Sequence, residues 1–229
     1  MPHTHPAESA FFREHGYLRL AGFHAPKTLA PLRRSIQDQA KRLIEGKGAA
    51  ALRRLPVFQQ IGRCSAAVRV PQLQSVLMTP ALAERIAQLG ARASATIQDA
   101  QLLLSPPAQG DWTLQGLNWH VDIAAGERLP GIQAFFLIDD VAAHGGATLA
   151  LAGSHRLAGR PPLAARLRAL LKDPADLQRR LAPLGVELLE MCGRAGDVYL
   201  MDMRLLHTPS VNASARLRMM ATARWLIDG

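Results

Sequence analysis

The chain has 229 residues, of which 48% are hydrophobic and 20% charged, with a formal net charge of +9. This is the balance of a globular protein long enough to bury roughly 70–75% of its unfolded surface in one core, and no apolar run approaches the roughly 18–20 residues that span a bilayer. The charge admits an anionic partner, but the arginines are scattered (Arg33-Arg34, Arg53-Arg54, Arg166, Arg168, Arg179-Arg180) and only 5% of residues are aromatic, which weighs against nucleic acid and for a solvated basic surface.

The opening Met-Pro-His-Thr-His-Pro lacks a basic segment followed by an apolar one, so a cytoplasmic protein is expected. Cys64 and Cys192 are too few for a disulfide framework and lack ligand-spaced partners, which predicts two reduced thiols packed as small hydrophobes.

Leu29, Leu32, Ile36, Ala40 and Leu43 recur at helical spacing, and Gly46 and Gly48 end that helix near Glu45. Thr79-Pro80 is a cap and first-turn pair for a second helix through Leu89. Beyond it, short strand-like runs cover Thr96 to Leu104, Ile132 to Ile138, Ala147 to Leu151, Val186 to Glu190, Asp197 to Met201 and Leu217 to Ile227, separated by Gly, Pro and Asp turns. So many short strands predict a sandwich or barrel. Within 156–184, Leu163, Leu167 and Leu170, then Leu177 and Leu181, flank Asp173-Pro174 at helical intervals; this is a helical hairpin over the sheet or a lid over a cavity mouth.

His120-Val121-Asp122 carries the chemistry. In an extended segment, side chains two apart share a face, so the imidazole and the carboxylate can reach one ion together. His207, between the run ending at Met201 and the breaker Pro209, supplies a second imidazole. Two imidazoles and one carboxylate are the donor set of a mononuclear Fe(II) site with open positions. Arg218 follows in the next strand. Its planar guanidinium is suited to a carboxylate, but Arg216 and Arg224 share its parity, and a register error would exchange Arg216 for Arg218. His155 reads as a hydrogen-bonded turn residue, His144 as part of a tight turn, and His3, His5, His15 and His24 as solvated.

Trp119-His-Val-Asp122, Ile132 to Val141, Gly145-Gly146, Gly153-Ser-His-Arg156, Gly196-Asp-Val198, His207, Asn212-Ala-Ser214 and Arg218 together resemble, in order and spacing, the phytanoyl-CoA dioxygenase family of Fe(II)- and 2-oxoglutarate-dependent oxygenases. The opening Phe11 to Leu20 is similar to the family's first helix and Gly-Tyr strand. The resemblance implies a mainly β single domain over residues 1–229, a double-stranded β-helix (cupin-like jelly roll) with packing helices: 1–95 as support, 96–229 as the core, and 156–184 as a lid-like insertion. It implies His120, Asp122 and His207 as iron ligands and catalytic centre, Arg218 as the contact to the distal carboxylate of 2-oxoglutarate, and O₂ as oxidant. Many relatives have a lysine where Ser105 precedes Pro106-Pro107, so Gln98 and Thr148 are left as neutral donors to the co-substrate. Trp119 and Arg204 are candidate substrate contacts. Halogenases of related fold lack the carboxylate, so Asp122 favours hydroxylation or another oxidation over halogenation; the expected reaction is hydroxylation of a small molecule (an amino acid, acyl compound or natural product), free or carrier-tethered, with release of succinate and CO₂. The alternative is a jelly-roll protein that binds metal without oxidative turnover.

Overall fold

A computed structural model describes residues 6–90, 96–123, 128–157 and 159–227; the expectations for His3 and His5 lie outside these. Among the described residues, eight strands form two antiparallel sheets, as the jelly-roll reading requires. β1 (Tyr17–Leu20), β6 (Val198–Asp202), β3 (Gly131–Leu137), β8 (Arg218–Leu226) and β2 (Thr96–Ser105) make the larger sheet in the order β1-β6-β3-β8-β2; β5 (Glu187–Glu190), β4 (Thr148–Ala152) and β7 (His207–Pro209) make the smaller one in the order β5-β4-β7.

The larger sheet is covered on both faces, so β3 is buried throughout instead of alternating. Ile132, Ala134, Phe136 and Ile138 turn outward with Val198, Leu200, Met219, Ala221 and Trp225 to meet helices. Phe135 and Leu137 turn inward with Tyr199, Met201 and Met220 toward the smaller sheet. The helical layer comprises α1 (Pro6–His15), α2 (Pro26–Glu45), α3 (Ala49–Arg53), α4 (Val57–Ala67), α5 (Leu73–Leu77) and α6 (Pro80–Gln88). Leu29, Leu32, Ile36 and Ala40 form the buried stripe of α2, and Thr79 Oγ1 caps α6 by accepting from the Leu82 amide at 3.3 Å. α3 to α5 had no counterpart among the expected elements.

The 156–184 segment folds as α7 (Pro161–Lys172) and α8 (Leu177–Leu181). Leu167, Leu177 and Leu181 pack with Leu151 and Val186, and Leu188 joins the cluster from β5, so the hairpin seats on the outer side of the smaller sheet.

His24 departs from expectation. It is buried at 6% exposure with its ring against Phe136, and burial lowers its pKa. His155 is also buried, with Nε2 3.0 Å from the Arg13 carbonyl, whereas His144 lies in a left-handed turn at φ 60 and stacks on Trp112. Both thiols are free, and burial pushes Cys64 up to about 11 and Cys192 to about 12.

Edge strand β1 is fixed by a carboxylate. Asp197 accepts from the Gly22 amide at 2.7 Å, from Arg19 at 2.6 Å and from the Arg194 amide at 3.0 Å. Burial by itself would raise its pKa, but these donors outweigh burial and hold it below the usual carboxylate range. A depressed pKa stabilises the fold above the unfolded value and loses that contribution as pH falls through the folded value. Asp197→Asn is expected to destabilise by about 2 kcal/mol at neutral pH, below the full value of a buried pair because the Arg19 side chain is 43% exposed. In urea melts, its difference from the parent protein should shrink below about pH 4.

Candidate metal and co-substrate site

The two sheets diverge around a cavity of about 170 Å³ whose walls include His120, Asp122, His207, Arg218, Thr148, Gln133 and Arg224. His207 lies on β7, and the segment carrying His120 runs antiparallel beside it. The His120 amide donates to the His207 carbonyl at 3.0 Å and the His207 amide returns the bond at 2.9 Å. The Asp122 amide donates to the Met203 carbonyl at 3.2 Å. This extended path places His120 and Asp122 in the cavity, with Val121 between them 37% exposed.

One donor atom from each of His120, Asp122 and His207 lies within 4.8 Å of the others. Each histidine Nδ1 faces a backbone carbonyl, Asn118 O at 3.0 Å and Leu205 O at 3.1 Å. A carbonyl only accepts, so each Nδ1 carries the proton and each Nε2 keeps a lone pair. His207 Nε2 and Asp122 Oδ2 are 3.8 Å apart, too far for a hydrogen bond but close enough to share an ion. Burial is the largest influence on His207 and lowers its pKa, favouring the neutral imidazole that a metal needs. The donor set therefore fits a divalent transition metal, and its two-imidazole, one-carboxylate composition suits Fe(II).

Arg218 opens β8 opposite Ser105 and is 3% exposed. Its Nε donates to the Gly146 carbonyl and its Nη1 to the Leu103 carbonyl, both at 2.7 Å. Burial lowers its pKa to about 10, so it is still charged at neutral pH. Neither acceptor carries a formal charge, and no carboxylate among the described residues pairs with it. Gly146 can present its carbonyl because it adopts φ +77, and a Cβ there would lie 2.7 Å from Asn212 Cβ. Asn212, wholly buried, donates to the Ser105 and Arg216 carbonyls and so sets the entry to β8. Arg216 falls before the strand and turns out to Asp139, with its side chain 67% exposed. Arg224 keeps the inward face of Arg218 and meets Asp122 at 3.4 Å.

Thr148 lines the cavity. Gln98 does not: it pairs with Arg224 in register but is exposed beyond a bulge, and Gln101, on the near side of that bulge, contributes to the wall. Neither Trp119 nor Arg204 lines it. Trp119 packs against the α7–α8 cluster, and Arg204 forms a near-buried pair with Asp202 at 2.6 Å. Phe58 and Ile61 of α4, Gln133 and Thr222 were not anticipated as wall residues. For Gln133 and Thr222 the available signal was inward parity on β3 and β8, shared with Phe135 and Arg218.

Facing antiparallel sheets with a His-Asp-His cluster between them define a class: the jelly-roll Fe(II)- and 2-oxoglutarate-dependent oxygenases, and this protein is an enzyme of that class. The family model described as phytanoyl-CoA dioxygenase (PhyH) matches residues 12–220, and the chain belongs to that family.

Solved structures of similar fold include AviO1 from Streptomyces viridochromogenes Tue57, 17% identical with a TM-score of 0.64, over 99% of this chain and 96% of that one. The 2-oxoglutarate (alpha-ketoglutarate)-dependent carbocyclase SnoK from nogalamycin biosynthesis is 18% identical with a TM-score of 0.63, over 97% and 84%. EctD from S. alaskensis, solved with 2-oxoglutarate and 5-hydroxyectoine, is 20% identical with a TM-score of 0.58, over 97% and 76%. No curated protein matches the chain. Among the described residues, no helix is long and apolar enough to cross a membrane.

Proposed function

We propose that this enzyme hydroxylates a small-molecule substrate with conversion of 2-oxoglutarate to succinate and CO₂, using His120, Asp122 and His207 to hold iron and Arg218 to hold the distal carboxylate of the co-substrate. The observation that carries this reading is the convergence, in one cavity, of three metal-competent donors with a buried, charged arginine whose acceptors among the described residues are neutral carbonyls.

When bound, iron with 2-oxoglutarate supplies the oxidising power from O₂. The chain contributes position and shelter. The two carbonyl-bound Nδ1 groups fix the imidazoles so that both Nε2 atoms face the cavity. Arg218, held by Gly146 and Leu103, offers its remaining donors to a carboxylate without having to reorganise. The Thr148 hydroxyl, on the opposite sheet, is a neutral donor for the same ligand. Phe58, Ile61, Leu103 and Phe135 make the apolar part of the wall that limits water.

The cavity shares Ile61, Gln101 and Leu103 with a groove of about 600 Å³ between α4, α5 and β2, which supports a small substrate entering from that side. Related folds serve different outcomes, a carbocyclase and an epimerase among them. Asp122 holds the carboxylate position that halogenation leaves open, which favours hydroxylation or another oxidation over halogenation; of these we take hydroxylation as the reading to test.

The test is turnover with ¹⁸O₂. One labelled oxygen in the product for each succinate formed is expected; succinate with an unlabelled, cyclised or epimerised product would replace hydroxylation while keeping the enzyme class. Absence of succinate formation despite bound iron would leave a metal-binding protein without oxidative turnover.

A further inference from the structure

We propose that Arg224 recognises an anionic group, a carboxylate, on the primary substrate. The inference rests on the functional reading above and adds a substrate class to it. Arg224 sits two strand positions beyond Thr222 on the inward face of β8, directly across from Gln133 on β3. Its Nε and Nη2 face the two oxygens of Asp122 at 3.4 and 3.5 Å. Those are loose contacts: Arg204 reaches Asp202 at 2.6 Å and Arg19 reaches Asp197 at 2.6 Å in the same molecule, and charge-assisted bonds typically measure about 2.7–2.9 Å. On the other edge of the guanidinium, Nη1 has no hydrogen-bond partner among the described residues and Nη2 has only the 3.5 Å contact to Asp122, and the side chain is 27% exposed at the cavity wall.

Charge balance points the same way. Among the described residues, the ionisable side chains on the cavity wall are His120, His207, Asp122, Arg218 and Arg224. With neutral imidazoles, a divalent ion and a doubly negative co-substrate, Asp122 and Arg218 bring the cavity to neutrality. Arg224 then leaves one positive charge uncompensated. The neighbouring groove adds Asp99 and Arg69, which offset each other. A single positive charge in a partly desolvated wall favours one negative charge on the remaining ligand, and the edge formed by Nη1 and Nη2 matches a carboxylate in shape.

Gln133 supplies a second, independent sign of a ligand at this spot. It is 2% exposed, its Nε2 donates to Thr222 Oγ1 at 2.8 Å, and its Oε1 has no partner among the described residues. A buried acceptor without a donor is costly unless a ligand completes it. Beside Arg224 it would take an O–H or N–H adjacent to the bound carboxylate.

The experiment uses the full chain with 2-oxoglutarate in saturating amounts, so that Arg218 is occupied, and Mn(II) as a paramagnetic probe at the metal position. Benzoate and its neutral isostere benzamide are titrated while the broadening of their proton resonances is followed. Benzoate is expected to broaden at concentrations about tenfold lower than benzamide, as one additional charge-assisted contact implies. Arg224→Gln should erase that preference and Arg224→Lys should retain part of it. Equal or absent broadening of the two probes, or an Arg224→Gln protein that keeps the preference, would overturn the proposal. The anaerobic Fe(II) absorption band that requires 2-oxoglutarate is recorded on the parent protein first: its absence would mean that the reading of the site has failed, whereas a normal band without a benzoate preference would remove this inference alone.

Discussion

His207→Ala is expected to abolish metal binding at the site and all 2-oxoglutarate-dependent turnover. His207 is 4% exposed and supplies one of the three donors found among the described residues, so its loss would leave a two-ligand site. Residues that merely support ligands typically change affinity or activity by about 10- to 100-fold; removal of a ligand itself should exceed that range. The fold should survive, because the bonds joining this segment to its neighbour run between the backbones of His120 and His207. The measurement pairs iron content and the co-substrate-dependent absorption band with a thermal melt of the metal-free proteins. A variant that melts like the parent, yet retains the band and turnover, would remove His207 from the metal site.

The second large effect concerns the co-substrate. Arg218→Ala should raise the Kd for 2-oxoglutarate by at least about 100-fold, since two parallel charge-assisted bonds in a sheltered pocket contribute roughly 1.5–3 kcal/mol each. Arg218→Lys should rescue only part of the loss, because an ammonium keeps the charge but not the fork. Burial has lowered this guanidinium to about 10, so at neutral pH its charge is a burden on the unliganded fold. That burden is present throughout the physiological range and is relieved only as pH rises past about 10. Arg218→Ala should accordingly cost less stability in the unliganded protein than the loss of two buried hydrogen bonds would suggest. Titrating 2-oxoglutarate against the absorption band, with urea melts alongside, separates binding from folding. An unchanged Kd would mean that the carboxylate is held elsewhere.

Both variants rest on residues that could be read from the amino-acid sequence, and the reason is local geometry. His120 and Asp122 are two apart in an extended segment, and the inward face of β8 follows from parity once the strand begins at Arg218. Arg216 could not be separated from Arg218 by parity alone. The separation depends on Asn212, which engages carbonyls of both Ser105 and Arg216 and so sets where the strand starts.

The less legible parts have physical causes of their own. β7 spans three residues and ends on Pro209, too short for any period to show. α3 and α5 are five residues each, held by packing on neighbouring elements, α3 on α2 and α4 and α5 on α2 and β2, rather than by a pattern of their own. The shift between Gln98 and Gln101 is a bulge, and one extra residue changes the facing of everything beyond it, so parity counted along the sequence could not assign Gln101 to the wall. Trp119 fails to border the cavity for the reason that His120 succeeds, because neighbours in an extended segment face opposite ways. Nothing in the arginine count distinguished Arg224, whose interest comes from Asp122 and Gln133 on other segments.

The division of labour between the sheets has a mechanical consequence. His207 and Thr148 belong to the smaller sheet, while Arg218 and Arg224 belong to the larger. A co-substrate anchored at one end through the metal and at the other by Arg218 would act as a crossbeam between the two sheets. Its binding energy would count toward the cohesion of the whole barrel, by about 2.7 kcal/mol when the ligand stands at 100 times its Kd. Loss of one carbon as CO₂ would shorten that beam, so succinate would tie the two sheets together less firmly than the co-substrate does.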